Sequence, residues 1–156
     1  MEKIDMIDLR ILTALQRDGG LSQRELAERV GMSQNACWRR LQALQAAGVL
    51  AGTQARVDLA ALGLDLTVVV MIRTRHHSRD WVDRFARHVE SLPEVIDFHR
   101  IGGEWDYLLK VVAQGMAGYD RFYQKLIDGF EFDKVTGLFA MERILENRPA
   151  DLARLL

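Results

Sequence analysis

Asn35, Arg39 and Gln42 stand at i, i+4 and i+7 of the segment "SQNACWRRLQALQAAG", a spacing that lines three side chains along one stripe of a helix. Arg pairs with guanine, and Asn or Gln with adenine, through paired hydrogen bonds, so these types suit the base edges in the major groove of double-stranded DNA. In the same helix Cys37, Leu41, Leu44 and Gly48 share a narrow sector that must face inward. Gln34 and Trp38 flank the outward stripe and Arg40 leans to its other side. Ser33, Trp38 and Arg40 are therefore expected to seat the helix on the backbone. Any exposed helix face is polar, so the stripe alone is an even case, and the elements around it must decide.

A second constellation is "IGGEWDY", Ile101 to Tyr107. Successive glycines let backbone amides approach a carboxylate, while Glu104 and Asp106 supply negative charge for an α-ammonium group. Spacing equally allows a plain strand-to-strand turn with solvated acids. Other candidates are thin. His76 and His77 are adjacent and diverge in an extended loop, and His76, His77 and Asp80 lack a spacing that fixes three metal ligands. Cys37 lies on an inner face with no neighbouring base, as a small buried hydrophobe rather than a nucleophile. No catalytic set and no cofactor are expected.

The elements that position the stripe are legible locally. Asp5 caps a helix with Ile7, Ile11, Leu12 and Leu15 at helical spacing, ended by Asp18-Gly19-Gly20. Ser22 and Glu25 form a capping box for a second helix. Gly31 ends that helix and Ser33 caps the next two positions later, a connection short enough to make a helix-turn-helix. On such a motif the polar stripe reads as a DNA-reading face.

After Gly48 the pattern changes. "VLAGTQARVDLAALGL" reads as a β-linker. "LTVVVMIRT" is a strand, Ser78 opens a helix stopped by Pro93, "VIDFHRI" and "YLLKVVA" are strands, a helix presents Tyr119, Phe122, Tyr123, Leu126 and Ile127, and "VTGLFAMERI" closes as a fourth strand. The order βαββαβ predicts an α+β chain with a ferredoxin-like C-terminal module. Two helices cover only one face of such a sheet, so the apolar residues on the other, Val69 and Met71 among them, call for a second subunit. The divisions are 1–50 for the helix-turn-helix, 51–63 for the linker, 64–146 for the sheet module and 147–156 for a tail.

Composition sets the bounds. The chain has 156 residues, 49% of them hydrophobic and 28% charged, enough to bury a real core, with room for one domain of ordinary size or two small ones. A single cysteine excludes an internal disulfide and a cysteine-based metal cluster. No apolar run is long enough for a membrane span, and the N-terminus does not resemble a targeting peptide, so a cytoplasmic protein without membrane partners is expected. The net charge of −1 hides an asymmetry: residues 1–57 carry 8 Lys and Arg against 6 Asp and Glu, and residues 58–156 carry 13 against 16. Charge favourable to DNA is confined to the first part.

In order and spacing, "LSQRELAERVGMS", "CWRRLQALQAAGVLAG", "LPEVIDFHRIGGEWDYLLKVV" and "YDRFYQKL" resemble the Lrp/AsnC (feast/famine) family of transcriptional regulators over residues 4 to 146. The resemblance implies a DNA-binding domain and an effector-binding, oligomerising domain, with dimers assembling into octamers and small amino acids as effectors. It implies a pocket from Gly102, Gly103, Glu104, Trp105, Asp106 and Tyr107, at a junction between dimers, completed by a neighbour's last strand at Thr136, Leu138 and Ala140. "RTRHHSRDW" and "FAMERI" are similar to a branch associated with cysteine. The chain departs from the family in Asn35-Ala36 for Thr-Pro, Gly102 for Thr and Gly137-Leu138 for Thr-Ser, and the last two remove hydroxyls from the expected pocket. An architectural DNA-binding protein that senses no effector is the alternative.

Overall fold

A computed structural model describes residues 4–155. The chain divides into two compact units, one formed by residues 4–57 with 145–155 and the other by Asp58–Ile144.

The first unit is built on α1 (Met6–Arg17), α2 (Gln23–Val30) and α3 (Gln34–Ala46). Each start is fixed by a side chain that satisfies otherwise unpaired helix amides. Asp5 accepts from the amides of Ile7 and Asp8, both at 2.9 Å. Ser22 and Glu25 close the expected capping box, and Ser33 Oγ accepts from the Ala36 amide at 3.3 Å. Gly31 ends α2 at φ 72°, a left-handed conformation that glycine adopts without a side-chain penalty. Leu9, Ile11, Leu26, Ala27, Val30, Cys37 and Leu44 form the core. Leu152, in a short 3-10 turn at Leu152–Leu155, packs on it, and the Ala150 amide donates to Gln16 Oε1 at 2.9 Å. The segment divided off as a tail is thus grouped with this unit in its described residues.

The second unit follows the predicted order: β1 (Leu66–Arg73), α4 (Arg79–Glu90), β2 (Val95–Arg100), β3 (Tyr107–Ala113), α5 (Gly115–Ile127) and β4 (Lys134–Phe139). The sheet runs β2-β3-β1-β4 with every neighbour antiparallel. Val68, Val70 and Ile72 of β1 and Leu109 and Val111 of β3 bury against Trp81, Phe85 and Val89 of α4 and Phe122 and Leu126 of α5. Alternation puts Val69, Met71, Leu108, Thr136 and Leu138 on the opposite face.

Two boundaries are corrected. Residues 51–58 carry no strand, and a 3-10 turn at Ala60–Leu62 follows; strand-forming residues make no strand without a partner, and the described residues offer this segment none. β4 ends at Phe139 rather than continuing through "AMERI", because it has reached the start of β1: the Ala140 amide makes the last pairing, to the Thr67 carbonyl at 3.0 Å.

Candidate DNA-binding and effector surfaces

On α3 the residues Gln34, Asn35, Trp38, Arg39 and Gln42 are exposed, opposite buried Cys37 and Leu44. Ser33 is exposed as well and its hydroxyl is spent on the cap. Gln42 Nε2 donates to Gln45 Oε1 at 3.0 Å, a surface contact between neighbours on one helix turn. The Cys37 thiol is pushed up from its ordinary pKa by burial, as suits a core residue rather than a nucleophile.

Arg40, expected on the DNA backbone, is engaged within the chain. Its Nη1 lies 2.7 Å from Asp5 Oδ2 and 2.9 Å from Asp8 Oδ1. A guanidinium facing two carboxylates is a poor partner for a phosphate, and this one fastens the start of α1 to α3. The Asp8 backbone amide, with Arg40 contributing, holds the Asp5 carboxyl below its usual range.

In the second unit the "IGGEWDY" loop joins β2 to β3. Gly102, Gly103 and Glu104 are exposed, and Trp105 and Asp106 are half-buried. Gly103 has φ 115°, a conformation nearly reserved for glycine. A Cβ at Gly102 would meet nothing within 4 Å, so packing does not explain the missing hydroxyl there. Among the described residues, the backbone amides of Gly102, Gly103, Glu104 and Trp105 donate no hydrogen bond within the chain. Asp106 is tied down instead: its Oδ2 accepts from the Thr74 amide at 2.8 Å and its own amide donates to the Ile72 carbonyl at 2.9 Å.

Tyr107 does not belong with the loop. It is 3% exposed and packs against Phe85 and Phe98 at 5.1 and 5.7 Å between ring centroids. Strand alternation turns it with Leu109 and Val111 toward the helices, and burial raises its phenol above the usual pKa.

Two cations not assigned to the pocket in the sequence analysis, Arg73 and Lys134, reach the loop. Asp133 binds Arg73 and Arg75, and hydrogen bonding from Arg73 is the main cause of its lowered carboxyl pKa. Arg73 Nη1 also lies 4.0 Å from Glu104 Oε1, and Lys134 Nζ sits 5.1 Å from the centre of the Trp105 ring. Position is the signal that identifies them: Arg73 and Lys134 pair at the end of the sheet where the loop lies. Thr136, Leu138 and Ala140 lead away from that end at about 3.3 Å per residue, so Ala140 is about 20 Å along the strand from Lys134. The loop and the far half of β4 do not converge within one chain. His76 stacks on Trp81 at 5.9 Å, and among the described residues no three His, Cys, Asp or Glu side chains are grouped to hold a metal.

A capped three-helix unit that presents Asn, Gln and Arg from its third helix, joined to a ferredoxin-like module with an amide-rich loop, defines a two-domain DNA-binding transcriptional regulator rather than an enzyme. Residues 4–51 match the winged helix-turn-helix DNA-binding family, and residues 67–150 match the Lrp/AsnC ligand binding domain. The chain belongs to the Lrp/AsnC family of transcriptional regulators. It is 43% identical over 142 residues to the DNA-binding transcriptional activator DecR of Escherichia coli, covering 90% of this chain and 93% of that one. It is 42% identical over 144 residues to a glutamate uptake regulatory protein of Zymomonas mobilis, covering 92% and 88%. Among solved structures, an AsnC family regulator from Agrobacterium tumefaciens superposes with a TM-score of 0.92 at 40% identity, over 97% of this chain and 99% of that one. A Neisseria meningitidis transcriptional regulator in complex with L-Met superposes with a TM-score of 0.92 at 30% identity, over 99% and 100%. No described helix is long and apolar enough to cross a membrane.

Proposed function

We propose that α3 enters the major groove of double-stranded DNA with Asn35, Arg39 and Gln42 on base edges, and that a small amino acid bound at the "IGGEWDY" loop modulates this binding. The observation that carries the reading is the exposed stripe on a helix capped by Ser33 and braced by Arg40. In the second unit the unshared amides of Gly102, Gly103, Glu104 and Trp105 suit the effector's carboxylate and Glu104 suits its ammonium group. Asp106 positions the loop. Thr136, Leu138 and Ala140 reach that pocket from a neighbouring copy, which makes the binding unit an oligomer of this chain: dimers through the sheet, and octamers from dimers. The Neisseria relative solved with L-Met supports an amino acid as the ligand class, and "RTRHHSRDW" with "FAMERI" supports cysteine as the first to test. A regulator acting on DNA in this way works in the cytoplasm.

The test is a thermal-shift panel of the twenty amino acids on the free protein, repeated on protein bound to a genomic fragment located by footprinting. Linkage requires that an effector which changes DNA affinity be changed in its own affinity by the same factor. One amino acid that shifts melting and alters the footprint supports the reading. A panel without any response, on protein that still footprints, leaves an architectural DNA-binding protein instead.

A further inference from the structure

Trp38 is 46% exposed and stands on the outer side of α3, away from buried Cys37 and Leu44. Nearly half of this residue's surface is open on the outer face of α3, so apolar area remains there for a partner to bury. Gln34 and Gln42 stand one turn before and after it, Asn35 three residues before, and α3 contains no acidic residue. Its outward chemistry is therefore four amides, Gln34, Asn35, Gln42 and Gln45, with Gln42 donating to Gln45, together with one guanidinium and one aromatic ring. Amides pair with adenine, and the one apolar group on the major-groove edges of the four base pairs is the 5-methyl of thymine.

We propose that Trp38 is a specificity-determining residue that packs on the 5-methyl group of a thymine beside the adenines read by the amides, rather than a residue that seats the helix on the sugar-phosphate backbone. The inference rests on the reading that α3 enters the major groove. Backbone seating is indifferent to that methyl, which separates the two roles.

The test uses the full chain and duplexes selected from a random-sequence pool. Each thymine of a half-site is replaced singly by deoxyuridine, which keeps base pairing and deletes the methyl, and binding is read by fluorescence anisotropy at fixed salt. At one thymine per half-site the replacement is expected to weaken the parent by about fourfold, the worth of one buried methyl. Trp38→Ala is expected to bind both duplexes alike at that position and to keep the parent's mass by light scattering. Trp38→Phe, which keeps an aromatic face, retains part of the discrimination and serves if the alanine variant fails to fold by circular dichroism. A parent indifferent to deoxyuridine throughout, an alanine variant with the parent's thymine preference, or a variant that dissociates the oligomer overturns the proposal. Arg39→Ala runs alongside. If it binds the selected duplex at full strength, the groove placement of α3 fails; if it weakens while deoxyuridine is tolerated, the role of Trp38 alone fails.

Discussion

The carboxylate of Asp106 accepts the backbone amide of Thr74 at 2.8 Å, fastening the "IGGEWDY" loop to the end of β1. Thr74 is 4% exposed, so its amide has little access to water if the carboxylate is removed, and an unsatisfied buried donor costs about 1–3 kcal/mol. Asp106→Ala is expected to lower stability by that order and to lose the effector response because the loop shifts. Asp106→Asn retains an acceptor oxygen and is expected to keep both. Urea denaturation and effector titration of the two variants measure this; an Asn variant that folds well and loses the response would place the negative charge itself in the pocket.

Tyr119 and Gly137 form a second such pair. A Cβ at Gly137 would collide with the Tyr119 hydroxyl and lie 3.2 Å from Cζ and 3.4 Å from Val68 Cγ1. The ring has little freedom to yield, packed beside Phe122 and Phe139. Gly137→Ala is expected to cost about 1–3 kcal/mol, the usual range for overpacking. Adding Tyr119→Phe removes the colliding oxygen and is expected to recover part of the loss. A double-mutant cycle by chemical denaturation with no coupling would show that the strand edge moves instead. The hydroxyl expected by resemblance at this place would need a Cβ, which meets the Tyr119 hydroxyl.

Both pairs show what could be read in advance. Caps and turns at Asp5, Ser22, Gly31, Ser33 and Ser78 were legible because their partners lie within three residues. The order βαββαβ and its inward positions followed from periodicity, and Tyr107 could have been placed in the core from its two-residue spacing to Leu109 and Val111. The partners of Arg40 lie 32 and 35 residues away, and that of Asp106 lies 32 away. No local pattern encodes such contacts, so the intrachain partners of both residues were not legible in the sequence.

Arg39 is exposed while its neighbour Arg40 is held by Asp5 and Asp8, and substitution should separate them. Arg39→Ala is expected to lose about 1–3 kcal/mol of specific binding, the worth of a bidentate base contact. Arg40→Gln is expected to leave the salt dependence of DNA binding unchanged, since it removes no phosphate contact. Titrations of both variants at several salt concentrations decide it, and a shallower salt slope for Arg40→Gln would return that residue to the backbone.

The Asp5 cap makes the first unit sensitive to acid. Its carboxyl pKa is lowered in the fold, first by the Asp8 backbone amide and then by Arg40. A group whose folded pKa lies below its unfolded value contributes stability that is complete above the ordinary carboxylate range and is lost as pH falls through that range. Asp5→Asn is expected to melt below the parent at neutral pH, with the gap narrowing as the solution is acidified. Melting of the two proteins across that range checks the sign; a gap that widens in acid contradicts it.

The sheet's second face carries the prediction about assembly. Val69, Met71 and Leu108 share that face with Thr136 and Leu138, since Met71 stands opposite both Leu108 and Thr136 and Val69 stands opposite Leu138. Helices α4 and α5 bury the other face. Burying an aliphatic side chain of this size is worth about 1.5–3 kcal/mol, so several together favour pairing with a second copy of the same sheet. Leu138 is exposed on edge strand β4, where a charge can be introduced without disturbing the core. Leu138→Glu and Met71→Glu are expected to shift the mass measured by light scattering toward the monomer, with far-UV circular dichroism unchanged. A parent protein that is a stable monomer at micromolar concentration would show that this face needs no partner, and the effector pocket would then have to be completed within one chain.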